Sequence, residues 1–306
     1  MIRVQFIHAL IAVLAFAAAA RVWAGDRPLV VVTSIPDFAD IAHEIGGAHI
    51  TVESLAKGTE DPHGVPVRPS LAVRLAHADA LIEMGLEMEH AWLPALVDAA
   101  NNPKIKAGHE GDIVASEGIV PLDVPIVVSR TEGEQHPEGN PHFNVGPASG
   151  RIFATNICSG LSRLAPEYKE DFSKNLKRYV DMLSKKESEW HAAGVKLKGI
   201  KFVSYHPDMA YLADYFSMEQ AGTLEPKPGI PPSASHTASL IQTMKSQGVK
   251  LILREPQYSD RLANEVAAQT GAKVVKIAIM VNGVSEAKTW IAMIDTNIKA
   301  LLEALK

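Results

Sequence analysis

Short β-branched runs alternate with helical stretches along most of the chain, and this alternation restricts the fold more than any other feature. Residues 28–34 (PLVVVTS) and 50–55 (ITVESL) read as strands. Ile35-Pro36 opens a helical stretch between them that Gly46-Gly47 ends. A helix over 69–77 and a strand over 80–84, stopped by Gly85, continue the pattern. After Gly199 it resumes, with strands at 201–205, 249–253 and 274–277 and helices at 209–216, 237–247, 261–270 and 289–305. Such alternation builds parallel sheets covered by helices on both faces. The two series are separated by a Gly/Pro/Glu-rich loop over 129–141, a helix over 148–163 and a longer one over 166–193. The long stretch would span about 42 Å as one helix. Leu176, Tyr179, Met182 and Leu183 form its apolar face. The spacing therefore predicts an α/β chain of two Rossmann-like lobes with parallel sheets, at 25–146 and 196–306, joined by a helical region at 147–195.

The chain has 306 residues, more than one core usually covers, which agrees with two lobes. Thirty basic against 35 acidic residues give a net charge of −5, which excludes nucleic acid as a partner. Residues 1–24 carry the marks of a secretory signal peptide. Arg3 precedes an apolar run from Phe6 to Ala20 broken only by His8, and Val22 and Ala24 stand before the expected cut. That run is short for a membrane span. No cysteine follows it, so a lipid anchor has no attachment point. Removing it takes away two of the 30 basic residues, Arg3 and Arg21, and leaves 28 against 35, or −7. The single cysteine, Cys158, excludes both a disulfide framework and a thiolate-built zinc cluster within one chain. Phosphate-loop, dinucleotide-binding, H-E-x-x-H and G-x-S-x-G signatures are all missing.

Twelve histidines remain to be explained. His43, His49, His77, His90, His109 and His191 lie in helices or near turns without polar neighbours at useful spacing. Three others follow strands or loops and stand beside proline: Asp61-Pro62-His63, Asn140-Pro141-His142 and Tyr205-His206-Pro207. Ligands of α/β proteins gather at the carboxyl ends of strands. A proline beside a ligand lowers the entropy lost on binding. These residues make one site only if the fold brings three separate loops together.

Several phrases resemble the metal-binding proteins of zinc and manganese ABC importers, a class of periplasmic binding protein. They are DPHGVPVRPS (61–70), GNPHF (139–143), SYHPDMAYLADYF (204–216), EPKPGIPPS (225–233) and REPQYS (254–259), in the family's order. The resemblance implies two lobes on one long rigid helix, the class III arrangement. It places a metal between the lobes, held by His63 and His142 from the first and His206 from the second. Members usually supply a fourth, carboxylate ligand near the C-terminus, but here residues 276–283 read KIAIMVNG without an acid. Glu255, after the 249–253 strand, is the leading candidate for that position or for orienting His206. Asp61 and water are the others.

Three imidazoles with one oxygen suit tetrahedral Zn²⁺ and leave Mn²⁺ the weaker choice. The loop holding Glu132, Glu134, His136 and Glu138 is a possible metal collector or a plain solvated loop. The expected role is periplasmic capture of zinc by a monomer that docks on an inner-membrane ABC permease, with no chemistry. Binding should weaken as pH falls through ~6–6.5, where free imidazole takes up a proton. The competing reading is a secreted zinc hydrolase using the same three histidines and Glu255 as general base.

Overall fold

The computed structural model describes residues 27–128, 133 and 135–306. The expected signal peptide lies outside them, as do Glu132 and Glu134 of the loop. The first lobe contains β1 (Leu29–Thr33), α1 (Pro36–Gly46), β2 (Ile50–Ser54), α2 (Pro69–Ala76), β3 (Ala80–Glu83), α3 (Leu93–Ala100) and β4 (Asp112–Val114). Its strands form a parallel sheet of order β2-β1-β3-β4, with Val31 opposite both Val52 and Ala80. Then come α4 (Gly150–Leu164) and α5 (Lys169–Gly194). The second lobe contains β5 (Lys201–Ser204), α6 (Ala210–Phe216), β6 (Glu219–Thr223), α7 (Ala234–Gln247), β7 (Leu251–Arg254), α8 (Asp260–Thr270), β8 (Lys273–Lys276) and α9 (Trp290–Ala304). Its sheet is also parallel, in the equivalent order β6-β5-β7-β8.

Local sequence accounts for the element ends. Helix α1 starts at Pro36, whose missing N–H costs nothing in a first turn, and stops where Gly47 takes a positive φ of 55°. Its buried residues Phe38, Ile41, Ala42 and Ile45 make one apolar stripe. The long helix begins later than its sequence suggests, because Pro166–Tyr168 forms a 3₁₀ turn and α5 proper has 26 residues, about 39 Å. Phe172, Tyr179, Leu183 and Trp190 bury its inner face, while Met182, expected on that face, is exposed. Three elements went unread: β4, only three residues long, helix α3, and β6, whose EQAGT lacks any β-branched run.

Helix α5 packs on α1 and α4 and also on α9, the last helix of the chain. Trp190 meets Trp290 edge to face at 6.1 Å and donates from Nε1 to Asp295 at 2.7 Å. One hydrophobic core consequently runs from β1 and β3 through α4 and α5 into α9 and the segment after β8. A smaller core lies between β5, β7 and helices α7 and α8.

The segment after β8, where the family's carboxylate would stand, is spent on this contact between lobes. Ile277, Ala278, Ile279, Met280 and Val281 are all buried. Val281 N–H donates to Asp37 of α1 at 3.0 Å. The amide of Asn144 donates to Asp37 at 3.1 Å and to the carbonyl of Ile279 at 2.7 Å. Gly58, after β2, approaches so closely that a Cβ there would collide with the Val281 carbonyl oxygen.

Candidate metal centre

The three proline-flanked histidines come together at the meeting of the lobes. His63 sits in the loop between β2 and α2, His142 in the long connection before α4, and His206 two residues after β5. Each ring offers a nitrogen within 4.8 Å of the other two, and all three side chains are buried. The Nε2 atoms of His63 and His142 are 3.0 Å apart. Imidazoles bound tetrahedrally at the ~2.0–2.1 Å zinc–nitrogen distance have ring centroids about 5.2 Å apart. Here the three separations are 5.0, 5.2 and 5.2 Å. The rings are therefore already spaced for a single small cation.

Surrounding groups fix which nitrogen each ring presents. His142 Nδ1–H donates to Asn140 Oδ1 at 2.8 Å, leaving Nε2 as the free lone pair. The Asn140 amide group donates to Asp123 at 3.1 Å and across the cleft to the Pro207 carbonyl at 2.9 Å. His206 Nδ1–H donates to Glu225 Oε2 at 3.0 Å, with both side chains buried. A carboxylate behind a ligating histidine fixes its orientation and raises its basicity. Burial, reinforced by the neighbouring imidazoles, holds His63 and His142 well below the usual 6.5, so both rings are neutral and able to ligate at pH 7.

The carboxylates expected at the fourth position do not converge with the three histidines. Glu255 follows β7 beside His206, yet its Oε1 faces the His206 backbone N–H at 3.5 Å, and it is not among the convergent donors. Burial pushes Glu255 up, and Asp208 beside it well above the usual carboxylate range, so this buried pair retains a proton. Orientation of the His206 ring falls to Glu225 instead. Asp61 Oδ1 accepts from the His63 backbone N–H at 3.0 Å and so holds the turn. Glu225 opens the EPKPGIPPS phrase but carries no role there, because the strand it follows, β6, has no sequence signal to mark its position. Asn140 stood inside the GNPHF phrase but carried no role there.

Glu225→Gln should weaken metal binding by about 10–100-fold while leaving the fold intact, because it keeps the shape but removes the charged acceptor. Competition against a chelator of known affinity measures this, and an unchanged affinity would leave Glu225 a packing residue only.

A crevice of about 370 Å³ opens onto His142 and His206, with Asp123, His136 and Lys227 on its walls. His136 lies against His63 with ring centroids 5.1 Å apart. Burial, with His90 and His206 nearby, lowers its pKa to about 4.

Comparison with known proteins gives a consistent set of relatives. Residues 31–304 match the family described as zinc-uptake complex component A, periplasmic. The zinc-binding lipoprotein AdcA of Streptococcus pneumoniae is 24% identical over 283 residues, covering 90% of this chain but 56% of AdcA, so the chain spans little more than half of that relative. The manganese ABC transporter substrate-binding lipoprotein PsaA of Streptococcus mitis is 25% identical over 291 residues, 92% of this chain and 91% of PsaA. A crystal structure of ZnuA superposes with a TM-score of 0.78 at 25% identity, over 91% of this chain and all of that one.

Proposed function

The chain belongs to the zinc-uptake complex component A family, and from that membership we propose that it is the exported metal carrier of an ABC importer. It captures Zn²⁺ with His63, His142 and His206 and delivers it, as a monomer in the periplasm, to a permease in the membrane. The observation that carries this reading is the spacing of the three buried rings, at 5.0–5.2 Å. Among relatives, AdcA is named for zinc and PsaA for manganese. A donor set of three imidazole nitrogens with no carboxylate among them favours zinc, since manganese prefers oxygen. A hydrolase would need a general base facing the open position on the ion. Glu255, the residue that reading relied on, is buried and turned to backbone instead.

Equilibrium dialysis with elemental analysis on the purified chain tests the proposal. One zinc per chain is expected, lost on His206→Ala, with no esterase or peptidase turnover. Retention of full zinc by that variant, or turnover that disappears with the metal, overturns it.

A further inference from the structure

We propose that His136 is the fourth ligand of the ion, a nitrogen supplied by the first lobe. This rests on the carrier reading above and adds to it.

Three observations lead there. The His136 ring lies 5.1 Å from that of His63, tilted by 31°, the same separation that the three convergent histidines keep from one another. Its Nδ1 is buried and has no hydrogen-bond partner, so a nitrogen with a coordinating lone pair waits beside the site. Finally, among the described residues no carboxylate oxygen converges with the three histidines. Asp61 accepts from the His63 backbone, Glu225 from the His206 ring, and Glu255 lies behind the His206 backbone. Residues 276–283 offer no acid at all.

His136 is not yet one of the donors lying within 4.8 Å of each other. Its ring must swing inward from its seat against the carbonyls of Leu86 and Glu87. It is only partly buried, and it stands on the wall of the crevice that opens onto His142 and His206. In moving in, it would replace the water that otherwise completes a three-histidine zinc centre. The ion would then be held by four nitrogens, three from the first lobe and one from the second.

X-ray absorption at the zinc edge counts imidazoles directly. The loaded wild-type chain should show four, and His136→Gln three plus one oxygen. Chelator competition should show affinity falling on the order of tenfold to a hundredfold in that variant, since water refills the position. The count in the wild type needs no variant, so a folding defect cannot mask the answer. Three imidazoles in the wild type, or a count and affinity unmoved by His136→Gln, overturn the assignment while the carrier reading stands. Full zinc binding by His206→Ala would instead remove the carrier reading, and this proposal with it.

Discussion

Alanine at His142 should weaken zinc binding by about 100- to 1,000-fold. Protein zinc sites bind with about 10–16 kcal/mol, so one of four ligands accounts for roughly 3–4 kcal/mol. His142 cannot be replaced by a neighbour, because Asn140 fixes its ring from behind and its Nε2 lies 3.0 Å from that of His63. Zinc should also cease to stabilise the variant. An ion at 1,000 times its dissociation constant adds about 4 kcal/mol to a native state, which a thermal melt with and without zinc reads as a clear rise in Tm. That rise should be present in the wild type and absent in His142→Ala; an equal rise in both would remove His142 from the site. The proton count gives an independent check. Three free imidazoles would release about two protons on binding zinc at pH 6. His63 and His142 sit well below 6.5 in the folded chain and are neutral there, so they contribute almost none. Calorimetry in buffers of different ionisation enthalpy should therefore find no more than one proton released at pH 6. At these two histidines acid competition should begin lower than ~6–6.5, because burial opposes the charged ring.

Asp37→Ala should cost about 3–5 kcal/mol of stability, the largest effect expected of any residue away from the histidines. Asp37 is fully buried, and its loss strands the Val281 N–H and one donor of Asn144. Each buried polar group left without a partner costs about 1–3 kcal/mol, and the cavity adds to this. The midpoint of urea unfolding measures the change, and a shift under about 1 kcal/mol would show that the lobe contact survives on packing alone. Its pH dependence has a definite sign. Burial pushes Asp37 up to about 7 from an ordinary value of 3.8, despite the donors that favour its ionised form. The folded chain thus holds a proton between those values that the unfolded chain has lost, and this contribution fades as pH rises towards 7. Asp37→Asn should flatten that slope between pH 5 and 7.5.

The parts of the molecule legible in its sequence are those where one physical signal dominates. Strands such as Leu29–Thr33 and Leu251–Arg254 are buried on both faces and so read as unbroken apolar runs. The edge strand Glu219–Thr223 is half exposed, needs no such run, and was invisible. For the same reason the EPKPGIPPS phrase could not give Glu225 its role, which depends on following that strand. His63, His142 and His206 could be singled out because each stands beside proline after a strand or loop. Their convergence, however, depends on pairings across the chain that only the fold supplies. Glu255 illustrates the limit of the position argument. It occupies the carboxyl end of a central strand, as expected of a ligand, but its Oε1 faces the backbone N–H of His206, which position along the chain cannot reveal.

The core shared by the two lobes has a consequence for how fast the cargo can leave. With α5 and α9 in contact through Trp190 and Trp290, and with Asn140 bridging to Pro207, separation of the jaws would have to break these contacts before an ion could leave that way. On the carrier reading, departure by substitution, one nitrogen at a time with an incoming donor entering through the crevice, would leave those contacts intact. A recipient that presents ligands at that opening would thus act as a catalyst of transfer, accelerating exchange without altering the equilibrium affinity. Slow loss in free solution and fast unloading to such a recipient would then be properties of one unchanged site, separated only by kinetics.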